Sequence, residues 1–360
     1  MAPSSLDTPS PRHDATDAPE RAAAVAASTL PAEGTLLAEV VTGLPTEPAD
    51  GPAPADRAHG PQRPTGWRNV LRRLGRDRWA VLGGVIIILT TLVALLAPLI
   101  TRAAGVDPYS YHLDALEPSG VPAGPLGGVS AEHWFGVEPQ TGRDLFAIVV
   151  EGTRTSFSIG MGATILSMVI AILLGLSAGY VGGWWDALVS RLTDVTLGFP
   201  HLVFMIAISA IIPASAPRVL VMILIIGILG WPSTARVLRS RTLALRGRTF
   251  VGASRAMGAG GRHVLTTQVL PNLVATIIVF TTISIPGKIT AEAALSFLGV
   301  GVTAPTPSWG RSIGNAVTWV STDPWYLLFP GLALFLVTLA FNLFGDGLRD
   351  ALDPRTGENR

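Results

Sequence analysis

A single lysine occurs in the chain, Lys288, and Glu292 follows it four residues later. On a helix that spacing puts an ammonium and a carboxylate on one face, where they can pair. The flanking stretches, Val264–Gly287 and Ala293–Gly310, contain no Asp, Glu, Lys or Arg. An unpaired charge in lipid costs roughly 2.5–3.5 kcal/mol on insertion scales. Three readings stand: an intramembrane ion pair near the outer end of a span, charges on a substrate path, or side chains reaching the interface. Other chemistry lacks its residues. No cysteine is present, which excludes disulfides, thiolate metal sites and cysteine nucleophiles. His13, His59, His112, His133, His201 and His263 are scattered without ligand spacing. A phosphate-cradling loop ends in Gly-Lys-Ser/Thr, and Ile289 stands after the only lysine. No catalytic, metal-binding or cofactor-binding residue is therefore assigned, and energy for any work must come from a partner or an ion gradient.

The elements that must hold these residues are membrane helices. Of the 360 residues 49% are hydrophobic and 14% charged, against about 25% charged in soluble domains. That leaves too few polar side chains to cover a water-soluble surface. Charged residues are missing from Trp79–Thr101, Thr155–Trp185, Val195–Pro217, Val219–Ala235, Val264–Gly287 and Pro324–Gly345. Each interval is near or above the ~20 residues that cross a hydrocarbon core. Backbone in lipid must satisfy its own hydrogen bonds, so each reads as a helix. The sequence predicts an all-α integral membrane protein with six transmembrane helices near 79–101, 157–180, 189–212, 218–236, 268–292 and 325–346. Ala293–Gly310, with Pro305, Pro307 and three glycines, reads as an external loop or short re-entrant element. Gly160, Gly162 and Gly175 allow helices to approach closely in lipid.

With a cytoplasmic N-terminus the inner segments hold sixteen arginines and the outer ones five, which places both termini inside. Residues 1–66 carry eleven of the 28 prolines and few large apolar groups, the composition of a disordered cytoplasmic tail. Residues 67–78, WRNVLRRLGRDR, read as an amphipathic basic helix against inner-leaflet lipid. The first transmembrane helix (79–101) follows, then an external loop (102–155) and a five-helix core (156–347). The core includes a cytoplasmic loop (236–267), and 348–360 is a cytoplasmic C-terminus.

That cytoplasmic loop contains seven arginines and no acidic residue. Phe250–Asn272 reads as a short helix at Val251–Met257, a glycine turn at Gly258–Gly261, and a second helix reaching Leu270-Pro271-Asn272. Here the sequence resembles the membrane permease subunits of bacterial ABC importers, whose loop has the form E-A-A-x-x-x-G followed by a hydrophobic-Leu-Pro element. The matching positions are Gly252, Ala253, Ser254, Gly258, Leu270 and Pro271. Gly252 stands where the family most often has glutamate, and Ser254 replaces the second alanine. The His133–Gly160 segment is similar to one of the dipeptide/oligopeptide permease family at Gly136, Gly142, Arg143, Asp144, Gly152, Arg154 and Ser156. Ala291–Gly310 and Pro330–Pro354 are similar to the same family. The resemblance spans about residues 67–355 and is to the dipeptide permease C-type transmembrane subunit.

The resemblance implies a type I ABC importer permease arrangement in the bacterial cell membrane. It implies a homologous second permease subunit and one fused or two separate ABC ATPase subunits, which bind ATP and Mg. It also implies an extracytoplasmic substrate-binding protein that delivers peptide, and no nucleic acid. Phe250, Val251, Gly252, Ala253, Ser254, Arg255, Ala256, Met257, Gly258, Ala259, Leu270, Pro271 and Asn272 would form the ATPase-coupling element. An ion-gradient-driven secondary transporter is the alternative, for which Glu292, Asp186 and Asp194 are the available acids.

Overall fold

The computed structural model describes residues 67–213 and 215–352. The expected tail at 1–66 and the last residues of the expected C-terminal segment lie outside them. Among the described residues there is no strand, only two isolated bridges, and the rest is helix and loop. In chain order the helices are α1 (Trp67–Leu74), α2 (Arg78–Ala104), α3 (Leu145–Val181), α4 (Gly183–Gly198), α5 (His201–Ile211), α6 (Arg218–Leu229), α7 (Pro232–Arg246) and α8 (Thr249–Ala256). They continue with α9 (Gly261–Phe297), α10 (Trp309–Ala316) and α11 (Pro324–Leu352).

Four helices, α2, α3, α9 and α11, are long and apolar enough to cross a membrane singly. The pairs α4–α5 and α6–α7 each make one further crossing if a bent pair counts as one span, which gives six. The bends differ from the straight helices expected at 189–212 and 218–236. The first pair turns by 86° and the second by 41°. Their causes are in the sequence: Pro200 caps α5 and Pro232 occupies the first turn of α7. A proline there cannot donate to the preceding turn. Intervals free of charge report length and polarity, and a break by proline leaves both unchanged.

Two boundaries also shift. α3 begins at Leu145, ten residues inside the expected external loop 102–155. The first turns of α3 carry Glu151 and Arg154, so they fall outside any uncharged interval, yet they are helical. Asp144 caps them by accepting from Ala147 N at 2.8 Å. α11 runs on to Leu352, past the expected end of the core at 347. Of the Ala293–Gly310 stretch, expected as a loop or re-entrant element, Ala293–Phe297 is the last turn of α9 and Trp309–Gly310 the start of α10, with a loop only between them.

The helices are held by close approach more than by polar bonds. α3 packs along α2, α6, α7 and α9. A Cβ added at Gly175 would lie 2.7 Å from the Ala235 carbonyl oxygen, and one at Gly179 would lie 2.7 Å from that of Arg239. The two glycines let α3 and α7 touch backbone to backbone, as small residues do in lipid. One apolar cluster joins Ile159, Met222, Ile226 and Leu295, and a second joins Leu176, Trp231, Leu238, Val251 and Leu273. Ion pairs add a seam between α4 and α7, where Arg239 chelates Asp186 (Nη2–Oδ2 2.6 Å) and Arg236 reaches Asp194 at 2.7 Å.

At the opposite end from α8, the loop after α2 folds over the ends of α3 and α11. Arg143 is buried there and donates to the carbonyls of Pro108 (2.6 Å) and Pro305 (3.1 Å). Tyr326 donates to Glu138 at 2.5 Å. Gly142, at φ +66°, passes so close to His112 that any side chain would collide with its backbone. Trp309 inserts against Gly152, donating through Nε1 to Val149 O (3.1 Å) and through its amide to Ser156 (3.4 Å). Of the seven positions that carried the second resemblance, Gly142, Arg143, Asp144, Gly152 and Ser156 thus have structural work at this end.

Candidate functional site

α8 lies across the ends of α3, α7 and α9. Val251 and Ser254, three residues apart, are buried and form its inward face. Val251 belongs to the same apolar cluster as Leu176 of α3, Leu238 of α7 and Val264 and Leu273 of α9. The remaining positions, Phe250, Gly252, Ala253, Arg255, Ala256 and Met257, are exposed. Met257 is 82% exposed, an uncommon state for so large an apolar side chain next to apolar neighbours. The outward face of α8, with Met257 at its cap, is therefore mostly apolar, carries Arg255 as a cation and has no acid.

The helix ends where its sequence ends it. Gly258 adopts φ +89°, and two reverse bonds close the last turn: Gly258 N to Arg255 O (2.9 Å) and Ala259 N to Ser254 O (3.1 Å). That is the glycine-terminated helix end in which the left-handed residue accepts no side chain cheaply. Nothing lies within 4 Å of a Cβ added at Gly258, so its requirement is conformational and not one of space.

After Gly260 the chain enters α9 directly. The expected second short helix is the first part of this 37-residue helix. Leu265–Val269 is a π-turn, and Pro271 follows in the next turn. Proline brings no amide to the carbonyl four residues back, and the widened turn takes up the mismatch. Leu270 packs on the apolar cluster, while Pro271 and Asn272 are exposed. Asn272 returns its side-chain amide to Gln268 O at 2.7 Å.

One residue that sequence reasoning missed belongs with this loop. The Arg255 guanidinium sits 4.9 Å from the centroid of the Tyr180 ring, at the end of α3. The two are 75 positions apart in sequence, and no local spacing connects them. Not all of the loop's arginines face solvent partners either. Arg236 and Arg239 are engaged with Asp194 and Asp186 of α4, which reduces the charge available for docking.

Lys288 and Glu292 share a face of α9 but do not pair. Lys288 donates to Gly230 O at 3.1 Å, at the break between α6 and α7. Gly230 precedes the cap of α7 and its carbonyl has no helical partner, so the ammonium fills a vacancy left by the bend. Glu292 is fully buried and accepts from Ser296 (2.7 Å) and Ser308 (2.8 Å) through Oε1. Lys288 is taken by a carbonyl at the α6–α7 break and Glu292 by serines of α9 and of the loop before α10, which corrects the ion-pair expectation.

This architecture, an all-helical bundle of membrane-length helices with an exposed loop helix seated on their ends, is that of a membrane transport permease. The family of binding-protein-dependent transport system inner membrane components matches residues 171–358, and that of the N-terminal transmembrane domain of oligopeptide transport permease C matches residues 65–118. The chain is 38% identical over 289 residues to the dipeptide transport system permease protein DppC of Alkalihalophilus pseudofirmus, covering 80% of this chain and 90% of the relative. It is also 38% identical over 291 residues to the glutathione transport system permease protein GsiD of Pectobacterium atrosepticum, covering 81% and 92%. The GsiD protein of Escherichia coli is as similar, at 38% over 291 residues, covering 81% and 91%. The chain belongs to the dipeptide/oligopeptide family of ABC transport permeases. It is a multi-pass inner-membrane protein of a family of transporters, not of enzymes.

Proposed function

We propose that this chain is one of two permease subunits of an ATP-driven importer of short peptides, and that α8 is its coupling helix. The observation that carries the reading is α8 itself: its exposed side, from Phe250 to the capping Met257, is largely apolar with Arg255 as a cation, and it is fixed through Val251 to the ends of three membrane helices. A partner that pushes on that side moves those helices as a rigid lever, the kind of shift that packed interfaces amplify. Relatives named for dipeptide and glutathione transport support a small peptide as cargo. A homologous second permease would complete the translocation path. One fused or two separate ATPase subunits would bind ATP and Mg, and an extracytoplasmic binding protein would deliver the peptide. The arginine distribution supports α8 and both termini on the cytoplasmic side. Of the three acids available to the gradient-driven alternative, Asp186 and Asp194 are held by arginines and Glu292 accepts from Ser296 and Ser308.

The test is to tag the chain in its native host, extract it in mild detergent and identify what co-purifies. A second permease and ATPase subunits are expected, with ATP hydrolysis stimulated by the peptide-loaded binding protein. A chain that purifies alone, stable and without ATPase activity, would overturn the reading. So would uptake that stops with a collapsed gradient but survives ATP depletion.

A further inference from the structure

Two different contacts hold α8 to the membrane helices. One is the apolar seat of Val251, which is non-directional. The other is the stacking of Arg255 on Tyr180, which fixes a distance and an approach. Tyr180 is the penultimate residue of α3, the helix that runs against α2, α6, α7 and α9. Its ring also abuts the first residue of α9: a Cβ added at Gly261 would lie 3.2 Å from Tyr180 Cε1. One half-buried ring thus touches the loop helix and the ends of two membrane-crossing helices. Arg255 is exposed, and among the described residues no carboxylate lies within ion-pairing distance of it. The ring is the partner its position provides.

We infer that the Tyr180 ring, gripped by Arg255, is the joint that passes movement of α8 to α3 and α9. This rests on the coupling role proposed for α8. Tyr180 is a positioning residue: it meets neither nucleotide nor cargo, and acts by keeping the loop helix and two spans in step. The ring face matters and the phenolic hydroxyl does not, because the attraction is between a cation and the π cloud. A purely apolar plug at the same place would seat α8 yet let it slip.

The experiment uses the complete transporter in proteoliposomes, with its second permease, ATPase subunits and binding protein, and reads ATP hydrolysed per peptide imported. Arg255→Gln and Tyr180→Leu should each raise that ratio about two- to five-fold, the equilibrium equivalent of an exposed cation–π contact. Tyr180→Phe should behave as wild type, and the double variant should be no worse than either single one, because both remove the same contact. Arg255 lies on the surface, so its variant reports even where Tyr180→Leu fails to assemble. Wild-type coupling in Arg255→Gln, or a loss in Tyr180→Phe equal to that in Tyr180→Leu, would overturn the inference. Loss of ATPase binding in Arg255→Gln beside normal coupling in Tyr180→Leu would assign Arg255 to docking and also overturn it. Met257→Glu separates the two levels, since it puts a charge on the outward ridge of α8. ATPase subunits that stay bound and productive in Met257→Glu would sink the coupling role itself, whereas their loss there leaves the Tyr180 variants to decide the joint.

Discussion

At Gly230 and Lys288, removing a charge and displacing one have opposite consequences. Lys288→Met gives up one hydrogen bond and orphans a carbonyl, a loss of roughly 1–3 kcal/mol. It also removes a charge whose presence in lipid costs roughly 2.5–3.5 kcal/mol. The two effects are of similar size, so the thermal midpoint in detergent should move little. Gly230→Ala sets a methyl group where the ammonium now lies, and the displaced charge stays in the bundle without its acceptor. It should be clearly the more damaging of the two, and adding Lys288→Met to it should restore only part of the loss, because the new methyl group would still lie 2.7 Å from the Ile226 carbonyl oxygen. A Gly230→Ala protein as stable as wild type would disprove the contact. The spacing of Lys288 and Glu292 was legible in the sequence, but their partners were not. Gly230 is 58 positions from Lys288, and periodicity reports only which residues share a helix face. Asp323 offers a second residue-level test outside the membrane helices. It is buried, accepts from Trp325 N at 3.2 Å, and leaves Oδ2 without a partner. Burial raises its carboxyl above the usual 3.8. A raised acid favours the folded state while protonated, so its contribution is full below that usual value and lost as pH rises through the folded one. Asp323→Asn keeps the acceptor and cannot ionise. The stability of wild type relative to this variant should therefore fall as pH rises from about 4, read as the difference in thermal midpoint. A constant difference would contradict the assignment.

Among elements, the helices themselves were readable and their breaks and joints only partly so. Long uncharged runs locate spans because lipid forbids unsatisfied backbone, and that constraint is independent of neighbours. The bends at Pro200 and Pro232 had a visible signal in the prolines, which a reading by charge alone passes over. The first turns of α3 had a visible signal in Asp144, but Glu151 and Arg154 obscured it, because a search for uncharged intervals excludes any turn that carries a charge. The loop helix α8 was readable through its glycine turn and its resemblance to a known loop, whereas its fastening to Tyr180 required the fold. The α3–α7 contact is the element-level prediction. Gly175 brings the two backbones together, and a Cβ there would stand 2.7 Å from Ala235 O and 3.1 Å from Leu238 Cβ. Both neighbours are held in place, one by backbone and one by a buried cluster. Gly175→Leu should separate the helices and cost roughly 1–3 kcal/mol or more, as overpacking does. Gly252→Leu adds the same side chain where nothing lies within 4 Å, and it should leave the thermal midpoint unchanged. Equal midpoints for the two variants would mean that α3 and α7 do not pack at Gly175.

For the whole molecule, the sidedness of the bundle follows from alternation. The end of α11 meets the start of α2, where Gly347 packs on Ala80. α8 lies beside the end of α3, and the loop between α2 and α3 occupies the other end. If the α8 end is cytoplasmic, as the arginine distribution predicts, every odd crossing runs outward and every even one returns. The chain has no cysteine, so single cysteines report on this without background. Leu113 is 65% exposed in the long loop and Met257 is 82% exposed beside α8. In intact cells or right-side-out vesicles, a membrane-impermeant maleimide should label Leu113→Cys and spare Met257→Cys until the membrane is permeabilised. The reverse pattern would invert the orientation. Labelling of both from one side would be more serious, because it would require an even number of crossings between them. Between Leu113 and Met257 the chain has α3 and the two bent pairs, three crossings if each pair is one span. Opposite labelling therefore also excludes that just one of the bent pairs turns back at its break: two crossings would then remain and the two positions would share a side. The 86° bend at Phe199-Pro200 makes α4–α5 the pair at stake, and its apolar exposed residues at Leu202 and Val203 favour a full traverse through lipid or against the second permease.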